Sequence, residues 1–186
     1  QIPTPEYQVI SANQKLDLKD EFFIKNNSFF VKPNNNGSSF GVSKVDHKKN
    51  LDEAIVEARK YSKDVIIEKA YNFAEYTVGI LKGEALEPLE IIAENKEGFY
   101  DYEAKYLSKG TKKVEVVDNT IKDQLKNIAL KAFYKHGCQT WGRVDFVYDG
   151  KDLGVLEINT VPGFTEKSLF PLAAKMSGIN YQELIT

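Results

Sequence analysis

Arg143, Asp145, Glu157 and Asn159 are the residues of this 186-residue chain whose types and spacing most directly suggest chemistry. They lie in the stretch W-G-R-V-D-F-V-Y-D-G-K-D-L-G-V-L-E-I-N-T-V-P-G-F (residues 141–164), where two runs of alternating apolar residues flank the turn-prone Asp149-Gly150-Lys151-Asp152. That pattern predicts a β-hairpin. Successive side chains of a strand point to opposite faces. Arg143 and Asp145 therefore share one face, with Val144, Phe146 and Tyr148 on the other. On the return strand Glu157 and Asn159 share a face, against Leu156 and Ile158. A loop at residues 150–152 opposes Asp145 to Glu157 and Arg143 to Asn159.

Opposed carboxylates repel unless a cation sits between them. Mg2+ takes carboxylate and amide oxygens and keeps positions for phosphate oxygens, and an adjacent guanidinium can stabilise charge developing on a transferring phosphoryl or acyl group. The same residues are also compatible with a solvated hairpin face carrying an Arg–Asp pair. The functional reading is preferred because Thr160-Val161-Pro162-Gly163-Phe164 follows at once, a rigid loop whose glycine lets backbone approach a ligand.

The chain is long enough for one domain or two small ones. An apolar content of 42% and a charged content of 28% are those of an ordinary globular protein. A net charge of −2 carries no nucleic-acid footprint, and no apolar run reaches membrane-spanning length. Gln1 opens neither a signal-peptide pattern nor a chain with an initiator Met, so the N-terminus of the full polypeptide is expected upstream. Cys138 is the single cysteine, which suits a reducing cytosol and a role as a small buried filler. Neither His47 nor His136 sits in a motif, and histidine acid–base catalysis is not expected.

Several elements must position these groups. A short strand at residues 7–10 precedes a charged, weakly helical stretch to about Asn27. Strands at 28–33 and 42–45 flank Asn34-Asn35-Asn36-Gly37-Ser38-Ser39-Phe40-Gly41, a glycine loop whose amides and Ser38 and Ser39 hydroxyls can cradle phosphate, with Lys32 as the point charge. Taken alone the loop reads as an ordinary hairpin turn. Asn50 is predicted to cap a helix, with Glu53 as its capping-box partner and Leu51, Ala54, Ile55, Ala58 and Tyr61 as its apolar stripe. A buried strand at 64–69 ends in Glu68 and Lys69. Residues 75–81 and 84–92 form a hairpin around Lys82-Gly83. Taken alone, Glu68, Lys69 and Glu75 are ordinary surface charges. Residues 93–113, polar and rich in tyrosine, read as a lid with Lys105 and Tyr106 at its tip. Thr120 caps a long helix closed by Gly137. After the central hairpin come helices at 166–176 and 181–185.

K-P-N-N-N-G-S-S-F-G, I-I-E-K-A, E-Y-T-V, F-Y-D-Y-E-A-K-Y, G-R-V-D-F and L-E-I-N-T-V-P-G-F-T-E-K-S-L, in this order across nearly the whole chain, resemble the D-alanine–D-alanine ligases of the ATP-grasp superfamily. The resemblance implies an α+β, ATP-grasp fold of two lobes, their antiparallel or mixed sheets flanked by helices. Residues 1–73 would be the small lobe with the glycine-rich loop. Residues 74–186 would be the large lobe with the lid, the metal site and a substrate-carboxylate site. It implies ATP as co-substrate, phosphorylation of one D-alanine, and attack of a second on the acyl phosphate, for peptidoglycan synthesis in the cytoplasm.

Carried onto this chain, Lys32, Ser38, Ser39 and Lys105 would contact the ATP phosphates, Glu68 and Lys69 the adenine, and Glu75 the ribose. Asp145, Glu157 and Asn159 would bind two Mg2+ ions, with Mn2+ as a substitute. Arg143 and the Gly163 amide would stabilise the tetrahedral intermediate, and Tyr106 would close the lid towards Ser38. Tyr100, Ser168 and Leu169 would hold substrate, Ser168 at the carboxylate of the second D-alanine. Full ligases carry a further N-terminal domain, absent here, that supplies an acidic residue, a histidine and another lysine. This chain is therefore expected to be a fragment or one piece of a larger polypeptide, inactive alone, and a homodimer is among the assemblies expected of the full-length protein. Two alternatives stay open: a non-catalytic nucleotide-binding or assembly module, and a ligase making D-alanyl-D-lactate or another dipeptide.

Overall fold

The apolar alternations become strands, every described pair antiparallel, in a computed structural model that describes residues 1–37, 39–93 and 110–186. The described residues fall into two compact units: Pro5–Tyr71, and Gln1–Thr4 with residues 72–93 and 110–186.

In the first unit, β1 (Tyr7–Ile10), β2 (Phe29–Pro33), β3 (Ser43–Val45) and β4 (Val65–Lys69) form a sheet in the order β1-β4-β2-β3. One face is apolar because period two puts Phe29, Val31, Val45, Val65 and Ile67 together. The helix α2 (Leu51–Arg59) closes it with Leu51, Ala54, Ile55 and Ala58, one stripe of a 3.6-residue period. The short helix α1 (Glu21–Lys25) adds Phe22 and Phe23, whose rings meet Phe29 at centroid distances of 5.6 Å. Asp20 caps α1 by accepting the Phe22 N–H at 2.8 Å. The predicted cap at Asn50 does not form. A 3-10 turn over Lys48–Asn50 runs directly into α2, so Asn50 has ψ 0 and its side chain makes no capping bond. Tyr61 lies beyond the end of α2 and is exposed rather than part of the stripe.

The second unit is a six-stranded sheet. Its strands are β5 (Ala74–Leu81), β6 (Glu84–Ala85), β7 (Leu89–Ile92), β8 (Lys112–Glu115), β9 (Trp141–Tyr148) and β10 (Leu153–Asn159), ordered β10-β9-β5-β7-β8 with β6 pairing β5. Lys82 and Gly83, at φ 49° and 91°, make the tight turn into β6. The single return strand expected over 84–92 is two, because Pro88 has no N–H for the ladder. Lys112 and Lys113, expected in the lid, belong to β8 and pair with β7; residues 94–109 lie outside the described residues.

Each face of this sheet carries its own core. The helix α3 (Asn119–Lys135) packs Leu125, Ala129, Ala132 and Phe133 onto Tyr76, Val78, Ile80, Val144 and Phe146. The helix α4 (Leu169–Met176) packs Phe170, Ala173 and Ala174 onto Leu89 and Ile91, on the opposite parity, and α5 (Tyr181–Leu184) follows it. The cap of α3 is Asp118, not Thr120: its carboxylate accepts the N–H groups of Thr120 at 2.8 Å and Ile121 at 3.1 Å, drawing Thr120 into the first turn. The helix expected from residue 166 starts at Leu169, because residues 165–168 close a turn in which the Ser168 N–H reaches the Thr165 carbonyl at 2.8 Å.

Two glycines let the helices lie close. A Cβ on Gly79 would meet Leu86 at 2.8 Å and Phe170 at 3.2 Å, and one on Gly142 would meet the fully buried Phe133 at 2.7 Å. Gly142→Ala is expected to lower unfolding free energy by ~1–3 kcal/mol through overpacking, measurable by urea denaturation. Tyr76 supplies a pH signature. Burial first, and then the Glu90 carboxylate, push its phenol up to about 12. Its folded value is thus raised above the unfolded one, so its contribution is fully present below ~10. It should be lost as pH rises through the window up to about 12. Tyr76→Phe should flatten the stability-versus-pH curve there relative to wild type.

Candidate active site

The β9–β10 hairpin places the acidic residues in direct register. Glu157 pairs with Asp145 and Asn159 with Arg143. The route to this pairing is less direct than the sequence suggests. The loop is residues 149–152, with Tyr148 opposite Leu153, and the register then shifts by one between Val155 and Glu157. The bulged residue is Leu156. Asp149 organises the loop by accepting the N–H groups of Lys151 and Asp152 at 3.0 and 2.8 Å.

Asp145, 9% exposed, is the most buried carboxylate of this face. Arg143 forks onto it, Nε to Oδ1 and Nη2 to Oδ2, both at 2.7 Å. From the other neighbouring strand Thr77, which pairs with Asp145, donates its hydroxyl to Oδ1 at 2.6 Å. Thr77 was not anticipated. It belongs to the E-Y-T-V segment, two residues from Glu75 and on its face, but nothing local in the sequence says that β5 lies beside β9. Glu75 itself is half-buried on this face, opposite Val147.

The loop after β10 continues the site. Asn159 Oδ1 accepts the Val161 N–H at 3.1 Å, which fixes the amide's orientation. Phe164 holds the loop down, stacked on Phe170 at 5.7 Å and edge-on to Trp141 at 5.2 Å, while the Tyr181 hydroxyl donates to its carbonyl at 2.8 Å. Gly163 lies beside Ser168: a Cβ there would stand 3.1 Å from Ser168 Oγ. Ser168 is the N-cap of α4 by backbone geometry, yet its hydroxyl makes no capping bond and instead meets Thr165 Oγ1 at 2.8 Å and the Thr165 N–H at 3.1 Å. The Leu169 side chain is 5% exposed and belongs to the core under α4, so only its backbone faces outward chemistry. Pro171 lacks an N–H, which leaves Leu169 and Phe170 as the amide donors of the first helical turn.

In the other unit, Lys32 Nζ lies 2.5 Å from Glu68 Oε1, both on the sheet face opposite the core with Phe30 and Ile66. Lys69 points to the other face and covers the Tyr71 ring at 4.8 Å. In the glycine loop Ser39 has φ 61°, and the Val42 N–H closes a turn onto its carbonyl at 3.3 Å. Gly41 has φ 74°, and any Cβ on it would stand 2.5 Å from the Tyr61 ring. Ser38, Tyr100, Lys105 and Tyr106 lie outside the described residues.

One face of one sheet therefore gathers Glu75, Arg143, Asp145, Glu157 and Asn159, with Gly163 and Ser168 in the adjoining loop; Lys32, Ser39, Glu68 and Lys69 belong to the other unit. Among the described residues no group of three or more His, Cys, Asp and Glu could hold a metal. The donor set is two carboxylates and an amide oxygen. Such an all-oxygen, incomplete set suits Mg2+, which completes its octahedron with water and phosphate. Arg143→Ala would strand Asp145 in its 9%-exposed position and should cost ~3–5 kcal/mol of stability. Chemical denaturation at neutral pH measures it.

Comparison with known proteins follows the same lines. The whole chain, residues 1–186, matches the family model described as D-ala D-ala ligase C-terminus. It is 43% identical to a D-alanine–D-alanine ligase of Buchnera aphidicola subsp. Schizaphis graminum over 83% of this chain and 51% of that protein. It is 41% identical to a D-alanine–D-alanine ligase of Methylacidiphilum infernorum over 98% of this chain and 58% of that protein. A crystal structure of D-alanine–D-alanine ligase from Bacillus anthracis complexed with ATP superimposes with a TM-score of 0.80 at 26% identity, covering 99% of this chain and 58% of that one. The chain thus spans between half and three-fifths of the length of these relatives.

Proposed function

Because this chain belongs to the family of D-ala D-ala ligase C-termini and has the α+β, ATP-grasp fold of its structural relatives, we propose that it supplies the ATP- and Mg2+-binding portion of a cytoplasmic ligase that joins two D-alanines for peptidoglycan synthesis. The unit Pro5–Tyr71 would be the small lobe and the unit built on β5–β10 the large one. The observation that carries this reading is the pairing of Asp145 with Glu157 beside the Arg143 fork.

Asp145, Glu157 and Asn159 would hold the cation, which when bound screens the phosphate charge and orients the triphosphate. Lys32, at 2.5 Å from Glu68, would turn to the phosphates as a point charge, with Ser38, Ser39 and Lys105 around them. Glu68 and Lys69 would meet the adenine and Glu75 the ribose. A carboxylate oxygen of the first D-alanine attacks the γ-phosphorus and ADP leaves. The neutral amine of the second D-alanine then attacks the carbonyl carbon, and inorganic phosphate departs as the amide forms, one of the two amine protons passing to the departing phosphate and the other staying as the amide N–H. Arg143 and the Gly163 amide would stabilise the oxyanion of that addition. Ser168 and the amides of Leu169 and Phe170 would take the carboxylate of the second D-alanine, an arrangement that a helix N-terminus favours, with Tyr100 as a further substrate contact and Tyr106 bonding towards Ser38. The retained donor set supports catalysis over a nucleotide-binding module without chemistry. No helix among the described residues is long and apolar enough to cross a membrane.

The chain alone is expected to bind nucleotide in a Mg2+-dependent way without forming dipeptide. Its relatives are longer, and holding both substrates in attack geometry can supply ~7–11 kcal/mol of barrier lowering. Calorimetric titration of nucleotide with and without Mg2+ tests the binding, and assays of D-alanine-dependent phosphate release test the full-length protein. Glu157→Gln should weaken the Mg2+-supported binding by ~10-fold or more while leaving the fold intact. Equal titrations for wild type and Glu157→Gln would overturn the assignment.

A further inference from the structure

A buried threonine in a central strand needs a reason. Thr77 is 1% exposed, and burying a hydroxyl is unfavourable unless it finds a partner. Valine has the same shape and a higher affinity for such a site. The partner here is Asp145 Oδ1 at 2.6 Å, reached across the β5–β9 ladder.

An ionised carboxylate offers about four acceptor positions, two on each oxygen. Oδ1 of Asp145 receives the Thr77 hydroxyl at 2.6 Å and Arg143 Nε at 2.7 Å, which fills it. Oδ2 receives Arg143 Nη2 at 2.7 Å and has one position left. The strands are ordered β10-β9-β5, so Thr77 and Glu157 approach Asp145 from opposite sides. We infer that Thr77 is a positioning residue for the metal site: by occupying Oδ1 from the β5 side it locks the Asp145 carboxylate and leaves Oδ2 as the atom presented to a divalent cation. This deepens the reading of Asp145 as a cation ligand and rests on it. Thr77 touches neither substrate nor cation; it acts through Asp145. Partners of this kind are worth 10–100-fold in metal affinity.

The test uses the full-length protein with Mn2+ as the probe. Free Mn2+ is followed by electron paramagnetic resonance in the presence of nucleotide, for wild type, Thr77→Val, Thr77→Ser and Glu157→Gln. Nucleotide binding in chelator is measured alongside. Thr77→Val should raise the Mn2+ dissociation constant ~10-fold or more, Thr77→Ser should restore it to near the wild-type value, and binding in chelator should be unchanged in both. Thr77→Ala supplies the same comparison if the valine variant does not fold. Wild-type affinity in Thr77→Val, with Glu157→Gln impaired, overturns the role of Thr77 and leaves the proposed function standing. Loss of nucleotide binding in chelator, shared by Thr77→Val and Thr77→Ser, means a packing role only and also overturns it. Absence of Mn2+-supported binding in wild type overturns both.

Discussion

The bulge at Leu156 governs the arrangement of the second unit. From Leu153 to Val155 the return strand sends its apolar residues to the α3 core, with Val155 opposite Phe146. Continued without interruption, that register would set Leu156 against Asp145 and carry Glu157 to the greasy side. One inserted residue reverses the parity, so that a strand which begins as core ends as site. Leu156 is the residue left over and is exposed. The first half of the strand is then free to be selected for packing and the second half for its oxygens.

Reversing parity brings two carboxylates together on the paired strands β9 and β10 at one edge of the sheet, and their mutual repulsion needs an answer in the folded state. Arg143 gives part of it by forking onto Asp145 at 2.7 Å with both groups largely buried. A buried pair of this kind contributes little net stability, because desolvation offsets much of the attraction, yet breaking it is expensive. Its value lies in fixing a geometry. The strands that hold it cannot drift, since α3 and α4 press on the two faces of β5 and β9, seated against Gly142 and Gly79.

How much of this was legible in the sequence differs from group to group. That Arg143 shares a face with Asp145, and Glu157 with Asn159, follows from strand period alone. A loop at 150–152 predicts the pairing of Asp145 with Glu157, whereas in the structure a longer loop and a bulge arrive at the same register. A bulge has no local signature here, so the path was hidden although the destination was not. Thr77 escaped because its partner is 68 residues away and strand order is a tertiary property. Leu169 shows the converse. Its place beside Ser168 in the motif makes it a candidate, and because the core takes its side chain only its backbone amide is left for that role. Asn50 stands at the predicted position but makes no capping bond where a 3-10 turn runs into the helix, and the cap predicted at Thr120 lies two residues earlier, where Asp118 takes the amides.

The split of the site between strand and loop has a physical cause. Side chains such as Asp145 can project from a strand at no loss to its hydrogen bonding, and strands hold them most firmly. A backbone N–H cannot serve a ligand from inside a ladder, because the ladder already uses it. Groups proposed to act through their amides, Gly163 and the first turn of α4, must therefore lie outside the strands, where rigidity has to come from elsewhere. Here it comes from rings: Phe164 is held between Trp141 and Phe170, Pro162 is buried, and Tyr181 bonds the Phe164 carbonyl. Since a misplacement of ~1 Å can cost ~100-fold in rate, an aromatic clamp on a loop serves the amides as the sheet serves the carboxylates. On this argument Phe164, which need touch no substrate, matters to the loop as Thr77 does to Asp145.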